Sequence, residues 1–241
     1  MLAACLKWVL IFGTVGGSAG LLAALFLLAL APKVLIRLVL WTAGCAFRVR
    51  VVGLENVPPH GPALLVANHV TFADGLLIGS CVPRHIRFLV WQPYYQRKPL
   101  NWVFRLIQAI PMSEDGPRAV SASLMRARES LAGNQLVCIF AEGSLTRTGE
   151  LLPFKRGLEK IAEGLHAPII PVHLDGLWGS IFSFSGGRIL WKKPHPMARV
   201  TVSFGAPMPA TSTANSVRRA VELMASRPKS RRHAAAPRVA R

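Results

Sequence analysis

The apolar run Ala63 to Ala67 leads directly into Asn68-His69, and Asp74 stands five residues beyond the histidine. A histidine with a carboxylate at that spacing has the form of a general-base pair. The acid fixes the imidazole tautomer and stabilises the imidazolium that forms once a proton is taken. If the apolar run is a buried strand, polar residues just past its carboxyl end lie where open α/β sheets place their ligands. A plainer reading competes. Thr71 and Asp74 also match the Ser/Thr-x-x-Asp/Glu capping box of a helix start, with His69 as an ordinary loop residue. The base assignment therefore needs support from elsewhere in the chain.

A second polar block supplies it. Phe140-Ala141-Glu142-Gly143-Ser144-Leu145-Thr146-Arg147 again follows an apolar run, and Lys155-Arg156-Gly157 opens the next helical stretch. Backbone N–H groups at a helix start, together with Lys and Arg, make a site for an anion such as phosphate; a solvated turn is the bland alternative. Other catalytic patterns are absent from the sequence: there is no H-E-x-x-H and no phosphate-binding P-loop. His173 and Asp175 share one face of an expected strand and form a weaker rival pair. Cys5, Cys45, Cys81 and Cys138 lie far apart without the spacing of a zinc site, so no metal is expected. Cys138, inside an apolar run, reads as packing.

These blocks have to be held by strands and helices. From Phe47 onward short β-rich runs alternate with helical stretches, the pattern of an α/β domain. Expected strands are Phe47 to Val52, Ala63 to Ala67, Ile86 to Trp91, Ala109 to Met112, Leu136 to Phe140, Ile169 to Leu174 and Val200 to Phe204. Pro117 at a first-turn position and Gly133 as a stop frame a helix from Pro117 to Leu131. Another is expected from Ser216 to Ala225.

The N-terminal part differs. No charged residue occurs from Trp8 to Ala31, a stretch of about 36 Å as a helix against a hydrocarbon core of about 30 Å, so a membrane helix is expected there. Lys33, Arg37, Arg48 and Arg50 follow it and only Lys7 precedes it, which puts the rest of the chain on the cytoplasmic side of a cell membrane. Lys33, Arg37 and Trp41 at four-residue spacing suit a helix lying at the interface, or an amphipathic core helix. The expected division is thus 1–46 as anchor and interfacial helix, 47–226 as the catalytic domain and 227–241 as a disordered basic tail.

Among the 241 residues, 51% are hydrophobic and 29 Lys and Arg face 11 Asp and Glu, a net charge of +18. An apolar, basic chain calls for an anionic partner: a membrane surface, a phosphorylated substrate or nucleic acid. A membrane-tethered nucleic-acid binder is the alternative from another class, but the tail after Ser226 contains no Phe, Tyr or Trp for bases to stack on.

Asn68-His69 with Asp74, the block Glu142-Gly143 and the proline-bearing strand Ile169-Ile170-Pro171-Val172 resemble, in order and spacing, the glycerolipid acyltransferases that include the 1-acylglycerol-3-phosphate acyltransferases. The resemblance covers roughly Phe47 to Pro209. It implies a glycerol-phosphate acyltransferase-like α/β fold, a mixed β-sheet flanked by helices. His69 would deprotonate the acceptor hydroxyl, Asp74 would orient the imidazole, and no acyl-enzyme would form. Asn68, Glu142, Gly143, Ser144, Arg147, Lys155 and Arg156 are then expected at the substrate. Membrane lipids are the expected partners, acyl-CoA or acyl-carrier protein the donor, with no cofactor and no nucleic acid. The family usually has Pro where Ala141 stands and Arg where Leu145 stands, so Arg147 is the replacement cation. A further family Arg near Ile110 to Asp115 is missing, and Arg118 stands close by. The stretches CIFAEGSLTRTGELLPFKRG and PVHLDGLWGSIFSFSGGR are closer still to the acyltransferase portion of bifunctional acyl-carrier-protein synthetase/2-acylglycerophosphoethanolamine acyltransferases.

Overall fold

The computed structural model describes residues 47–180, 182–187 and 199–226. The expected membrane helix of 8–31, the interfacial segment that follows it and the basic tail lie outside the described residues. Among the described residues, no helix is long and apolar enough to cross a membrane.

Seven strands form one sheet: β1 Arg48–Val52, β2 Ala63–Ala67, β3 Ile86–Trp91, β4 Ile110–Met112, β5 Leu136–Phe140, β6 Ile169–Asp175 and β7 Arg199–Phe204. Their spatial order is β1-β7-β6-β2-β5-β3-β4. All neighbours run parallel except β6 and β7, so the sheet is mixed. The helices are α1 Asp74–Cys81, α2 Gln92–Tyr95, α3 Lys98–Leu106, α4 Pro117–Ala132, α5 Gly157–Ala162 and α6 Ala214–Ser226.

Every residue of β2 is buried, because the strand is apolar on both faces and both faces are covered. Ala63, Leu65 and Ala67 enter a cluster with Leu77 and Ile78 of α1 and with Val172, Val200 and Val202. Leu64 and Val66 point the other way, into a cluster with Leu124 and Leu131 of α4, Leu158 and Ile161 of α5, and Val217 and Val221 of α6. Continuous apolar runs rather than alternation are what a doubly covered parallel strand requires. The consequence for function lies in the register. Ala67 at the end of β2 pairs with Phe140 at the end of β5 on one side and with Val172 of β6 on the other. The residues after β2 and after β5 therefore emerge side by side at the carboxyl edge of the sheet, although 73 positions separate His69 from Glu142.

Candidate functional site

Asp74 is fully buried, whereas the His69 side chain keeps 22% of its surface exposed. His69 Nδ1 lies 2.9 Å from Asp74 Oδ2. The same oxygen accepts the Val70 N–H at 2.6 Å and the Thr71 N–H at 2.9 Å. Oδ1 accepts the Thr71 N–H at 3.0 Å and the Thr71 hydroxyl at 2.5 Å. A carboxylate surrounded by donors acts as acceptor throughout, so the hydrogen between His69 and Asp74 belongs on Nδ1. Nε2 then carries the lone pair. Asp74, the first residue of α1, reaches back to the Thr71 N–H and hydroxyl and holds the imidazole with the same carboxylate. The reciprocal bond of a capping box is not made, because the Thr71 hydroxyl accepts the Ala73 N–H and the Asp74 N–H donates to the Thr71 carbonyl.

Phe140 adds a contact that residue types alone did not reveal. Its ring, at the end of β5, stacks on the His69 imidazole with centroids 4.1 Å apart and planes 16° from parallel. The β2–β5 pairing delivers it there, and an aromatic at the last strand position before the polar block was the one available signal. With Asp74 at Nδ1 and Phe140 against its face, the imidazole is fixed in both direction and plane.

Two residues expected at the substrate have side chains engaged by the scaffold. Asn68 is buried and bonds the backbone of Leu174 twice, Nδ2 donating to the carbonyl oxygen at 3.1 Å and Oδ1 accepting the N–H at 2.8 Å. It continues the β2–β6 ladder one step past its end. Glu142 is buried too. Its Oε1 accepts the His69 N–H at 2.9 Å and its Oε2 accepts the Leu152 N–H at 3.0 Å. Burial raises the Glu142 carboxyl above its ordinary value, and the two N–H donors pull it partly back. In this arrangement the side chain holds the backbone of His69 rather than facing outward.

Gly143, Ser144, Arg147, Lys155 and Arg156 are exposed or half-open around this knot. Gly143 has φ +71°, and a Cβ on it would come within 2.6 Å of Lys155 Nζ, so the absent side chain lets the Lys155 amine lie against the loop. Thr146 organises the rest. Its N–H donates to the His69 carbonyl at 3.0 Å, its hydroxyl donates to the Glu150 carbonyl at 2.9 Å, and that hydroxyl accepts the Gly149 N–H at 3.0 Å. Arg147 rests over the Phe184 ring, 4.7 Å from its centroid. Arg156 turns away to Glu159, at 2.9 Å.

Other residues singled out by type lie elsewhere. His173 is buried within β6 between β2 and β7. Arg118 opens α4 beyond the edge strand β4, three strands from β2. Cys138 is buried in β5, where desolvation, and after it the charge of Asp74, push its thiol far above the ordinary value.

A mixed sheet with a fixed imidazole and a cation-bearing loop at the ends of adjacent parallel strands is the architecture of an acyltransferase domain. The model of the Acyltransferase family matches residues 48–175, more than half of the chain, and the chain belongs to that family. Among its relatives is the 1-acyl-sn-glycerol-3-phosphate acyltransferase of Bacillus subtilis, 28% identical over 148 residues that make up 60% of this chain and 68% of that protein. The human 1-acyl-sn-glycerol-3-phosphate acyltransferase alpha is 33% identical over 130 residues, 52% of this chain and 44% of its own. A chloroplastic relative from Brassica napus is 28% identical over 131 residues, 54% of this chain and 38% of its own. The chain thus spans less than half the length of the human and plant relatives. The crystal structure of the 1-acyl-sn-glycerophosphate acyltransferase from Thermotoga maritima superimposes with a TM-score of 0.66 at 22% identity, covering 96% of this chain and 95% of that one. That likeness establishes the fold, a mixed sheet flanked by helices.

Proposed function

We propose that the protein transfers a fatty acyl group from a thioester, acyl-CoA or acyl-carrier protein, to the free hydroxyl of 1-acylglycerol-3-phosphate at a membrane surface. The observation that carries this reading is the His69–Asp74 pair, 2.9 Å apart and anchored by a fully buried carboxylate, in a chain of the Acyltransferase family. His69 Nε2 accepts the proton of the acceptor hydroxyl as its oxygen attacks the thioester carbonyl. The tetrahedral intermediate collapses with cleavage of the C–S bond, and the departing thiolate takes the proton back from the imidazolium. A positioned base of this kind contributes about 10² to 10⁴ in rate, and alignment of two bound lipids supplies much of the remainder. Lys155 and Arg147 are the cations for the acceptor phosphate.

The likeness of CIFAEGSLTRTGELLPFKRG to the bifunctional synthetase proteins favours 2-acylglycerophosphoethanolamine as the second acceptor to try. Full-length protein in membranes, given labelled acyl thioester and a panel of lysolipids, tests both. Product from lysophosphatidic acid alone supports the first acceptor, product from the ethanolamine lysolipid alone supports the second, and no transfer to any lysolipid overturns the reading.

A further inference from the structure

The described domain carries an apolar and cationic surface that its chemistry does not use. From Gly75 to Ser113 the sequence contains no acidic residue, and this stretch includes the helical pair α2–α3. On α3, Lys98, Trp102 and Arg105 fall at i, i+4 and i+7, one face of a helix. All three are exposed, Trp102 with 54% of its surface open. The surface continues toward the site. Trp91, 45% exposed, meets Tyr94 edge-on at 5.2 Å. Tyr94 in turn meets Phe72 edge-on at 5.4 Å and lies under the Arg97 guanidinium at 5.7 Å. Phe72, 44% exposed, is three residues from His69.

Exposed tryptophans flanked by Lys and Arg on a short amphipathic helix suit the headgroup level of a bilayer, where an aromatic ring enters the acyl boundary and the cations meet lipid phosphates. Nucleic acid would also answer the charge. The face of α3, however, offers a single ring between two cations, and the remaining aromatics engage one another, Trp91, Tyr94 and Phe72 edge-on and Tyr95 with Phe104 stacked, instead of standing apart as platforms for successive bases. We propose that α2–α3, with Phe72 at its inner edge, is a docking surface for an anionic phospholipid bilayer, one that seats the His69 edge of the sheet at the lipid headgroups. The proposal rests on the acyltransferase reading for its purpose, but its quenching test does not.

Two experiments on the full-length chain decide it. In the first, a polarity-sensitive fluorophore is attached at Trp102→Cys, with the four native cysteines replaced by Ala. The control carries it at Arg219→Cys on α6, which packs on the opposite face of the sheet from α1. Vesicles of equal parts phosphatidylcholine and phosphatidylglycerol containing brominated phosphatidylcholine should quench position 102 and leave position 219 unquenched. A fluorophore at 102 that stays unquenched, even if shifted to the blue by residues 1–46 of its own chain, overturns the proposal. The second keeps the cysteines native and compares acyl transfer to vesicle-embedded and to dissolved short-chain lysolipid. Each Lys or Arg near an anionic surface strengthens attraction about fivefold, so K98E/R105E should raise the KM for embedded acceptor at least tenfold and leave that for dissolved acceptor within twofold. Equal KM changes for both acceptors, or none, count against docking. Should wild-type protein transfer no acyl group at all, the proposed reaction falls and the quenching result alone decides the surface.

Discussion

At the scale of the residue, His69 and Asp74 separate cleanly because they differ in burial. His69 reaches the surface and Asp74 does not. His69→Ala should therefore lower kcat at least about a hundredfold with a melting temperature close to that of the wild type. Asp74→Asn presents an N–H₂ group to backbone donors that need an acceptor, so it should lose stability as well as activity. Thermal unfolding beside steady-state kinetics checks both; an Asp74→Asn protein as stable as His69→Ala would remove the carboxylate from its role in holding the Val70 and Thr71 backbone. Glu142→Ala strands the N–H groups of His69 and Leu152, at about 1 to 3 kcal/mol for each buried group left unpaired. We expect a lower melting temperature and a lower kcat. A raised acceptor KM at unchanged stability would return Glu142 to direct substrate contact. The sequence made these residues conspicuous but not their directions. Asn68 and Glu142 are polar residues at strand ends, and only the neighbouring backbones of β6 and the 142–152 loop show that their side chains are already taken. Phe140 was legible as a strand residue and invisible as the platform under the imidazole, since the β2–β5 pairing that puts it there is a tertiary fact.

At the scale of the element, the limits of β2, β3 and β5 were readable directly, because β2 and β5 are apolar runs and β3 a largely apolar one interrupted only by Arg87, each closed by polar or turn-forming residues, and α4 was readable from its Pro117 start and Gly133 stop. The order of the strands was not. Nothing local in Ile169–Asp175 or Arg199–Phe204 says that β6 lies between β2 and β7, or that β7 runs against it; that follows from which faces α1, α4, α5 and α6 cover. The polar loop after β5 makes a prediction at this scale. Lys155 lies against Gly143, Arg147 is held over Phe184, and Arg156 is engaged by Glu159. Loss of a charge-assisted contact to phosphate should appear in binding. Lys155→Ala and Arg147→Ala should each raise the acceptor KM about tenfold with little change in the donor KM, while Arg156→Ala should leave both within twofold. Kinetics with each substrate varied in turn decides it, and a dominant effect at Arg156 would mean that the Arg156–Glu159 pair opens when acceptor binds.

At the scale of the whole molecule, the excess of 29 basic over 11 acidic residues is the main long-range fact, and it has to be weighed against the apolar stretch from Trp8 to Ala31. The two make different demands on salt. Attraction between basic residues and anionic lipid is worth about 1 kcal/mol per Lys or Arg near the surface, and it is screened within about 8 Å at physiological salt and about 3 Å at 1 M. Burial of apolar surface does not depend on screening of charge, and an uncharged stretch of about 36 Å as a helix is long enough to cross a hydrocarbon core of about 30 Å. If the apolar stretch dominates, full-length protein should remain with sedimented membranes after washing in 1 M salt and come off only with detergent. If charge dominates, most of it should appear in the salt wash. We expect retention, because a buried span removes far more apolar area from water than the exposed aromatics of α2–α3, and because screening weakens every basic contact together. Release by salt alone would leave the electrostatic surface as the chief attachment, make membrane association reversible at ordinary ionic strength, and reopen the basic tail as a binder of other polyanions.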